Sequence, residues 1–381
     1  MSNSSNVART DRAAEAAPFA YGGQAVIEGV MMRGKKLAAV ALRLGDGTIE
    51  VHDRPVTTSF PRKLIEAPFV RGFFLLWDML GLGMWALNLS QERYAQSHLG
   101  EQAKTKNKVL DYIVIGLSLA LALVIFKALP TWITQGLGSV GVLGSAGSES
   151  GGIGSLLVKN VVEGLIRLAI FVGYIVGISR LAEIRRVFEY HGAEHTVINA
   201  HESDKDNHSL DFIASFDTLH PRCGTSFIVI MVVLMVILMS LTDAIIVRTF
   251  YAGTGLSWPP LWVRLTTRLA VVPVLSGISY EIIRNAFRYR HIKLVDWFLT
   301  FGMAFQRLTT RKPDRGQLEC GLASLMRVRE VEEGIDVSRI TFESPVRFKG
   351  RESEVSREEH KSDESEPIMA AAGDGGEMNV E

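Results

Sequence analysis

Ser226-Phe227-Ile228-Val229-Ile230-Met231-Val232-Val233-Leu234-Met235-Val236-Ile237-Leu238-Met239-Ser240-Leu241-Thr242-Asp243-Ala244-Ile245-Ile246-Val247 decides the fold class. It exceeds the ~18 apolar residues that mark a membrane-spanning helix, and its single charge, Asp243, sits near the far end. Residues 110–129 form a second such run, with Lys127 near its outer end. Residues 156–178 and 261–283 are as long, but each carries charges in the half that begins it: Lys159, Glu163 and Arg167 in one, Arg264 and Arg268 in the other. With 381 residues and 47% hydrophobic content, the chain reads as a mainly α, polytopic helical membrane protein. About four spans occupy 109–283, supplemented by interfacial helices and a small N-terminal β-containing piece.

Outward from these runs the composition changes. Residues 21–68 mix short apolar runs with glycine, and Leu37–Arg43 and 48–52 flank Gly45-Asp46-Gly47, a hairpin signal. Within 69–90 the chain is apolar but broken by Gly81 and Gly83 and charged at Asp78, which favours an interfacial or re-entrant helix over a span. After the last run, residues 294–305 are too short to cross, and Asp314 with Gln317 forms a capping-box signal, so 284–330 reads as amphipathic and capped helices. Residues 1–20 lack the apolar core of a secretory signal, and 343–381 are rich in Glu, Ser, Lys and Gly; both read as disordered. Lys and Arg cluster in 91–108, after Ile178 and after Ile283, which places these segments and both termini on the cytoplasmic side.

Chemistry concentrates in the cytoplasmic segment 181–225. Tyr190-His191-Gly192-Ala193-Glu194-His195 sets two imidazoles four residues apart on one helix face, where both can hold one cation. The order H-x-x-E-H is that of inverted zinc metallopeptidases, with Glu194 as the base toward water. His220 and Cys223 of the following His220-Pro221-Arg222-Cys223 knot can complete a divalent-metal shell, and Zn²⁺ suits these ligands best. Cys223 is equally readable as a nucleophile paired with His220 or as a buried helix-entry thiol. Glu202, Glu281 and Glu28 compete as the acidic ligand. Glu28 and Arg33 read either as polar groups folded against the metal site or as a buried ion pair, and Arg222 either as a phospholipid-phosphate contact or as a plain surface arginine. Lys159, Glu163 and Arg167, spaced by four, form an ion ladder along one helix face; it serves as structural salt bridges or lines a polar cavity. Two cysteines cannot build a disulfide framework, and a net charge of zero excludes a general nucleic-acid binder.

Gly22 through Gly34, Tyr190 through His195, His220 through Ser226, Gly277-Ile278-Ser279-Tyr280-Glu281 and Gln306-Arg307-Leu308-Thr309-Thr310 together resemble the YqhQ-like bacterial membrane proteins, in order, from about residue 21 to 325. The resemblance implies a multi-pass protein of the bacterial cell membrane with a domain of unknown function, described as a metal-dependent enzyme, and it supplies no substrate. Joined with the motifs, the leading expectation is a hydrolase-like enzyme at the cytoplasmic membrane surface, acting on a lipid or peptide substrate through Glu194. The alternative is a non-catalytic membrane scaffold or assembly factor with a structural metal. A transporter is disfavoured because no internal repeat is evident. Nothing in the sequence sets the oligomeric state.

Overall fold

The computed structural model describes residues 21–98, 108–141, 153–220, 261–286 and 291–349, with Cys223, Tyr289 and scattered positions between 227 and 254. Strands β1 (Gly22–Val26), β2 (Gly29–Arg33), β3 (Leu37–Arg43) and β4 (Ile49–Pro55) form an antiparallel meander in chain order. The anticipated β3–β4 hairpin is present, with Leu42 opposite Glu50 and Gly47 at φ 84°, a left-handed turn position that glycine takes at no steric cost. The β1–β2 hairpin was not legible, because its turn is Ile27-Glu28 rather than a glycine or asparagine pair, and Glu28 itself takes φ 54°.

A fifth strand, β5 (Val346–Phe348), corrects the reading of a disordered tail over its first residues, 343–349, while 350–381 lie outside the described residues. It pairs parallel to β4, with Ile49 opposite Val346. Val346 and Phe348 alternate with Arg347 and pack against the sheet's core, a pattern too short to outweigh the polar composition around it.

Both faces of the sheet are covered, and side-chain alternation assigns each residue its layer. Val30, Met32, Ala39 and Ala41 face one helical layer, made by α6 (Ala182–Ser203) and α10 (Arg315–Glu333), through Tyr190, Ala193, Val197, Leu322, Ala323 and Met326. Met31, Val40 and Leu42 face the other, meeting Leu82 and Ala86 of α2 (Arg71–His98). Each large side chain buried here, such as Met31 or Met326, contributes roughly 1.5–3 kcal/mol of transfer free energy. Ser324 fastens α10 to the strands: its Oγ accepts from Met32 N–H at 3.0 Å and donates to Ala39 O at 2.8 Å. The expected capping box at Asp314 and Gln317 opens α10, and Gly334 closes it at φ 72°. The N-terminal sheet, the His-bearing helix and the C-terminal helix therefore share one core, although more than 100 residues of chain separate consecutive members.

The remaining helices are α1 (Arg62–Glu66), α3 (Lys108–Leu123), α4 (Leu129–Ser139), α5 (Ile153–Ile178), α7 (Leu210–Ala214), α8 (Leu261–Ala286) and α9 (Lys293–Thr309). Three stretches among the described residues are long and apolar enough to cross a membrane: Arg71–Ser97, Gly116–Ser139 and Val161–Ile178. Leu117, Leu119, Leu121 and Leu165 point outward from the last two, which fits a multi-pass membrane protein. The anticipated 226–247 span, with Asp243, lies largely outside the described residues. Gly81 and Gly83 do not break α2, which runs as one helix over its whole length where the sequence suggested a short interrupted element.

Between α3 and α4 the helix widens into a π turn at Val124–Ala128. Pro130 has no N–H to offer the Phe126 carbonyl four residues back. Arg167 Nε fills that vacancy at 3.1 Å, while its Nη2 donates to Glu163 at 2.5 Å and Thr131 Oγ1 donates to Glu163 at 3.1 Å. Glu163 and Arg167 thus tie α5 to α4 in a salt-bridged knot.

Candidate metal centre

His191 and His195 lie one turn apart on α6 with ring centroids 4.5 Å apart. Their backs are held by main chain: Thr309 O receives His191 Nδ1–H at 2.8 Å, and Thr218 O receives His195 Nδ1–H at 2.6 Å. A carbonyl can only accept, so both Nδ1 atoms carry the proton and both Nε2 atoms are left with a lone pair. Cys223 Sγ stands 3.3 Å from His191 Nε2, and one ligand atom each from His191, His195 and Cys223 lie within 4.8 Å of one another. Among the described residues this is the set whose spacing can enclose a metal ion. His195 Nε2 is buried and without a hydrogen-bond partner. Two borderline nitrogens and one thiol, each imidazole oriented from behind by a carbonyl, match the ligand chemistry and the outer support of a zinc site. Burial lowers the proton affinity of His195, against the pull of the nearby Cys223, which keeps the imidazole available as a neutral ligand.

His220 is one ring further away. Its centroid is 5.8 Å from that of His195; its buried Nε2 lacks a hydrogen bond, and the Glu202 carboxylate approaches it at 3.7 Å. The loop bearing His220 and Cys223 is clamped by Gln306 of α9, fully buried, which accepts from His220 N–H at 3.0 Å and donates to His220 O at 2.8 Å. Asn199 adds a second clamp, its Nδ2 donating to Asp217 O and Leu219 O at 2.9 and 3.0 Å.

The close approach of α9's end to α6 requires Gly192. A Cβ there would sit 1.9 Å from Arg311 O, and Arg311 N–H donates to Phe188 O at 2.9 Å alongside. Gly192 and Thr309 act through main-chain geometry, and Asn199 through side-chain bonds to main-chain carbonyls, so no residue-type pattern marks them. Gln306 belonged to a recognisable motif but carried no assigned role.

Glu194 points from α6 to the sheet. It is 6% exposed, packs on Gly23 of β1 and receives that residue's N–H. Burial pushes its carboxyl up to about 7, with His191 and the Gly23 amide pulling the other way. A Cβ on Gly23 would stand 2.9 Å from Glu194 Cγ, so the strand presents a bare backbone to this carboxylate.

The other polar candidates lie elsewhere. Glu281 does not reach the cluster: it takes a bidentate pair from Arg71, both contacts at 2.7 Å, and the Phe69 amide, because α8 packs on the start of α2. Glu28 is paired with the half-exposed Arg186 and with the Tyr190 hydroxyl, so it forms an ion pair of its own and not the expected buried pair with Arg33. Arg33 turns to α2, donating to Met79 Sδ, with Asp78 opposing the effect of burial on its guanidinium. Arg222 lies outside the described residues.

The family described as "Protein of unknown function (DUF1385)" matches residues 67–331. The "Uncharacterized protein YqhQ" of Bacillus subtilis (strain 168) is 32% identical over 327 residues, covering 83% of this chain and 94% of that protein. No solved structure matches the chain. A family match from residue 67 to 331, together with a relative aligned over most of both chains, places this protein in the YqhQ-like DUF1385 family of unknown function.

Proposed function

We propose that the protein is a membrane-embedded, metal-dependent enzyme of the hydrolase type, with His191, His195 and Cys223 as the ligands. The observation that carries this reading is the pair of imidazoles held through Nδ1 by Thr309 O and Thr218 O, with both Nε2 atoms left facing Cys223. A divalent cation, Zn²⁺ by ligand softness, supplies Lewis acidity toward water or a substrate oxygen. Three protein ligands leave a coordination position for that chemistry. Glu194, one residue from His195 and shielded by β1, is the general base that takes the proton from the attacking water. The substrate is an ester, phosphoester or amide of a lipid or peptide presented at the bilayer.

The placement we infer is cytoplasmic for the cluster and for both termini, from the Lys and Arg distribution. The bacterial cell membrane is the expected location, with the spans at α3–α4, α5, 226–247 and α8. The half of α2 from Leu82 on carries the sheet on one side, which favours α2 lying along the membrane surface rather than across it.

A second reading has its own observation: the buried Nε2 of His220, which makes no hydrogen bond and has the Glu202 carboxylate 3.7 Å away. If this ring turns inward the shell closes at four ligands, and the metal becomes a structural brace of a scaffold protein.

Elemental analysis of the detergent-purified full chain, with the visible spectrum of its cobalt-substituted form, separates the readings. The enzyme reading expects about one metal per chain, lost in His191→Ala/His195→Ala, retained in Glu194→Gln and in His220→Ala. Glu194→Gln should also abolish turnover in a panel of ester, phosphoester and amide substrates. Loss of metal in His220→Ala, with a closed tetrahedral cobalt spectrum, favours the scaffold. Wild-type protein without metal, even after reconstitution, sinks both.

A further inference from the structure

An open cleft of about 590 Å³ lies at the end of α5, lined by Val176, Ser179, Arg180, Arg185 and Arg311. None of these residues belongs to the His/Cys cluster, yet Arg311 follows Thr309, whose carbonyl holds His191, by two positions. Three guanidinium groups converge on the cleft. Arg185 is partly engaged, 3.4 Å from Glu189, which also receives Gln317 Nε2. Arg180 and Arg311 are exposed and make no ion pair with a carboxylate among the described residues. Two of the three charges thus have no carboxylate counter-charge among the described residues, and an anion between them relieves their mutual repulsion.

The setting selects the anion. Val161–Ile178 is one of the three stretches apolar enough to cross a membrane, and Ser179 and Arg180 follow directly on its last residue. The cleft therefore opens where lipid headgroups lie, with Val176 as its apolar wall and Leu181, 54% exposed, beside it. Guanidinium forks match phosphate oxygens bidentately, and they are the donors of the wall, since the Ser179 hydroxyl donates to Val176 O at 2.8 Å. A volume of this size holds a glycerophosphate-sized headgroup.

We propose that this cleft is a phosphate-binding site that takes the headgroup of an anionic membrane phospholipid. The site stands whether or not the neighbouring cluster binds metal.

The test is native mass spectrometry of the detergent-purified full chain offered an equimolar mixture of phosphatidylglycerol and phosphatidylcholine, with and without excess glycerol 3-phosphate or inorganic phosphate. The wild type should retain phosphatidylglycerol preferentially, and neither soluble phosphate should displace it. Arg180→Gln/Arg311→Gln, both exposed positions whose loss leaves the fold intact, should lower that retention about thirtyfold, from the ~1 kcal/mol that each of the two basic side chains contributes near an anionic lipid. Each single variant should lie between. Arg339→Gln/Arg347→Gln, an equal loss of charge on β5 and the turn before it, should leave retention unchanged. Equal retention by the two double variants would overturn the site, since general charge would then explain the binding. Displacement by glycerol 3-phosphate or inorganic phosphate would overturn the lipid as its source and assign the cleft to a soluble phosphate ester.

Discussion

Two buried polar clusters in this protein look alike in sequence and differ in what their atoms do. In the knot between α4 and α5, donors meet acceptors: Arg167 bonds both Glu163 and the carbonyl that Pro130 leaves vacant, and Thr131 adds a hydroxyl. In the α6 cluster the imidazoles are held from behind and their front atoms are left over, with His195 Nε2 and His220 Nε2 buried and unbonded. Buried polar atoms without hydrogen bonds are costly, and the α6 cluster gathers two neutral imidazole nitrogens with the Cys223 thiol nearby, a set a cation can satisfy, whereas the charges of the knot already pair with each other. The difference lies in where the hydrogen bonds end, which residue types alone do not reveal.

Arg167→Leu is the strongest way to break this comparison. It removes the guanidinium from both Glu163 and Phe126 O and should destabilise by about 3–5 kcal/mol, the usual cost of removing one partner of a buried pair, read as a fall in thermal midpoint in detergent. Metal content per folded chain should stay at the wild-type value; its loss would join the two clusters into one functional unit.

Gly192→Ala comes next. The clash with Arg311 O, 1.9 Å from the new Cβ, should cost about 2–3 kcal/mol, more than the ~1 kcal/mol that alanine gains in a helix. The segment carrying Thr309 O must then retreat from His191, so metal affinity should fall together with the thermal midpoint. An unshifted affinity would show that the carbonyl is not what orients the ring.

Gln306→Leu removes both hydrogen bonds to the His220 main chain and should cost about 2 kcal/mol. Loosening of the His220–Cys223 loop should appear as faster metal loss to a chelator, at a rate restored by Gln306→Asn only if the shorter amide still spans the gap.

The smallest effect is a pH dependence from His201, outside both clusters. Burial, with Arg329 beside it, lowers this imidazole from its ordinary 6.5 to about 4, against the opposing pull of Glu333 and Glu202; Lys205 adds to the lowering. The unfolded chain therefore binds the proton first as pH falls. Stability should be full above about 6.5 and decline toward pH 4, by about 1 kcal/mol once solvent screening is allowed for. His201→Gln should flatten that part of the profile; an unchanged slope would move its origin to other groups.

Much of the helical organisation was legible because apolar length and charge spacing are local properties. The stretches that became α3 and α5, the helix carrying His191 and His195, the β3–β4 hairpin and the Asp314 cap all follow from periodicity and turn chemistry. The shared face of His191 and His195 was legible for the same reason, since i, i+4 spacing fixes it, whereas only the fold chose Cys223 over His220 as the group beside them. Glu281 misled because its motif says nothing about Arg71, 210 positions away in the chain. Strand β5 misled because three residues of alternation cannot outweigh a polar tail around them.

By itself the sequence determined which segments are helical and apolar, and that two imidazoles, a carboxylate and a thiol lie close along the chain. Tertiary structure alone decided that the first strands, α6 and α10 close one core, that Glu194 is sealed by Gly23, and that Thr309 and Thr218 orient the two rings. The physical reason is that helix formation and hydrophobic length are summed over neighbours in sequence. The direction of a lone pair is instead set by whichever carbonyl the fold brings behind the ring.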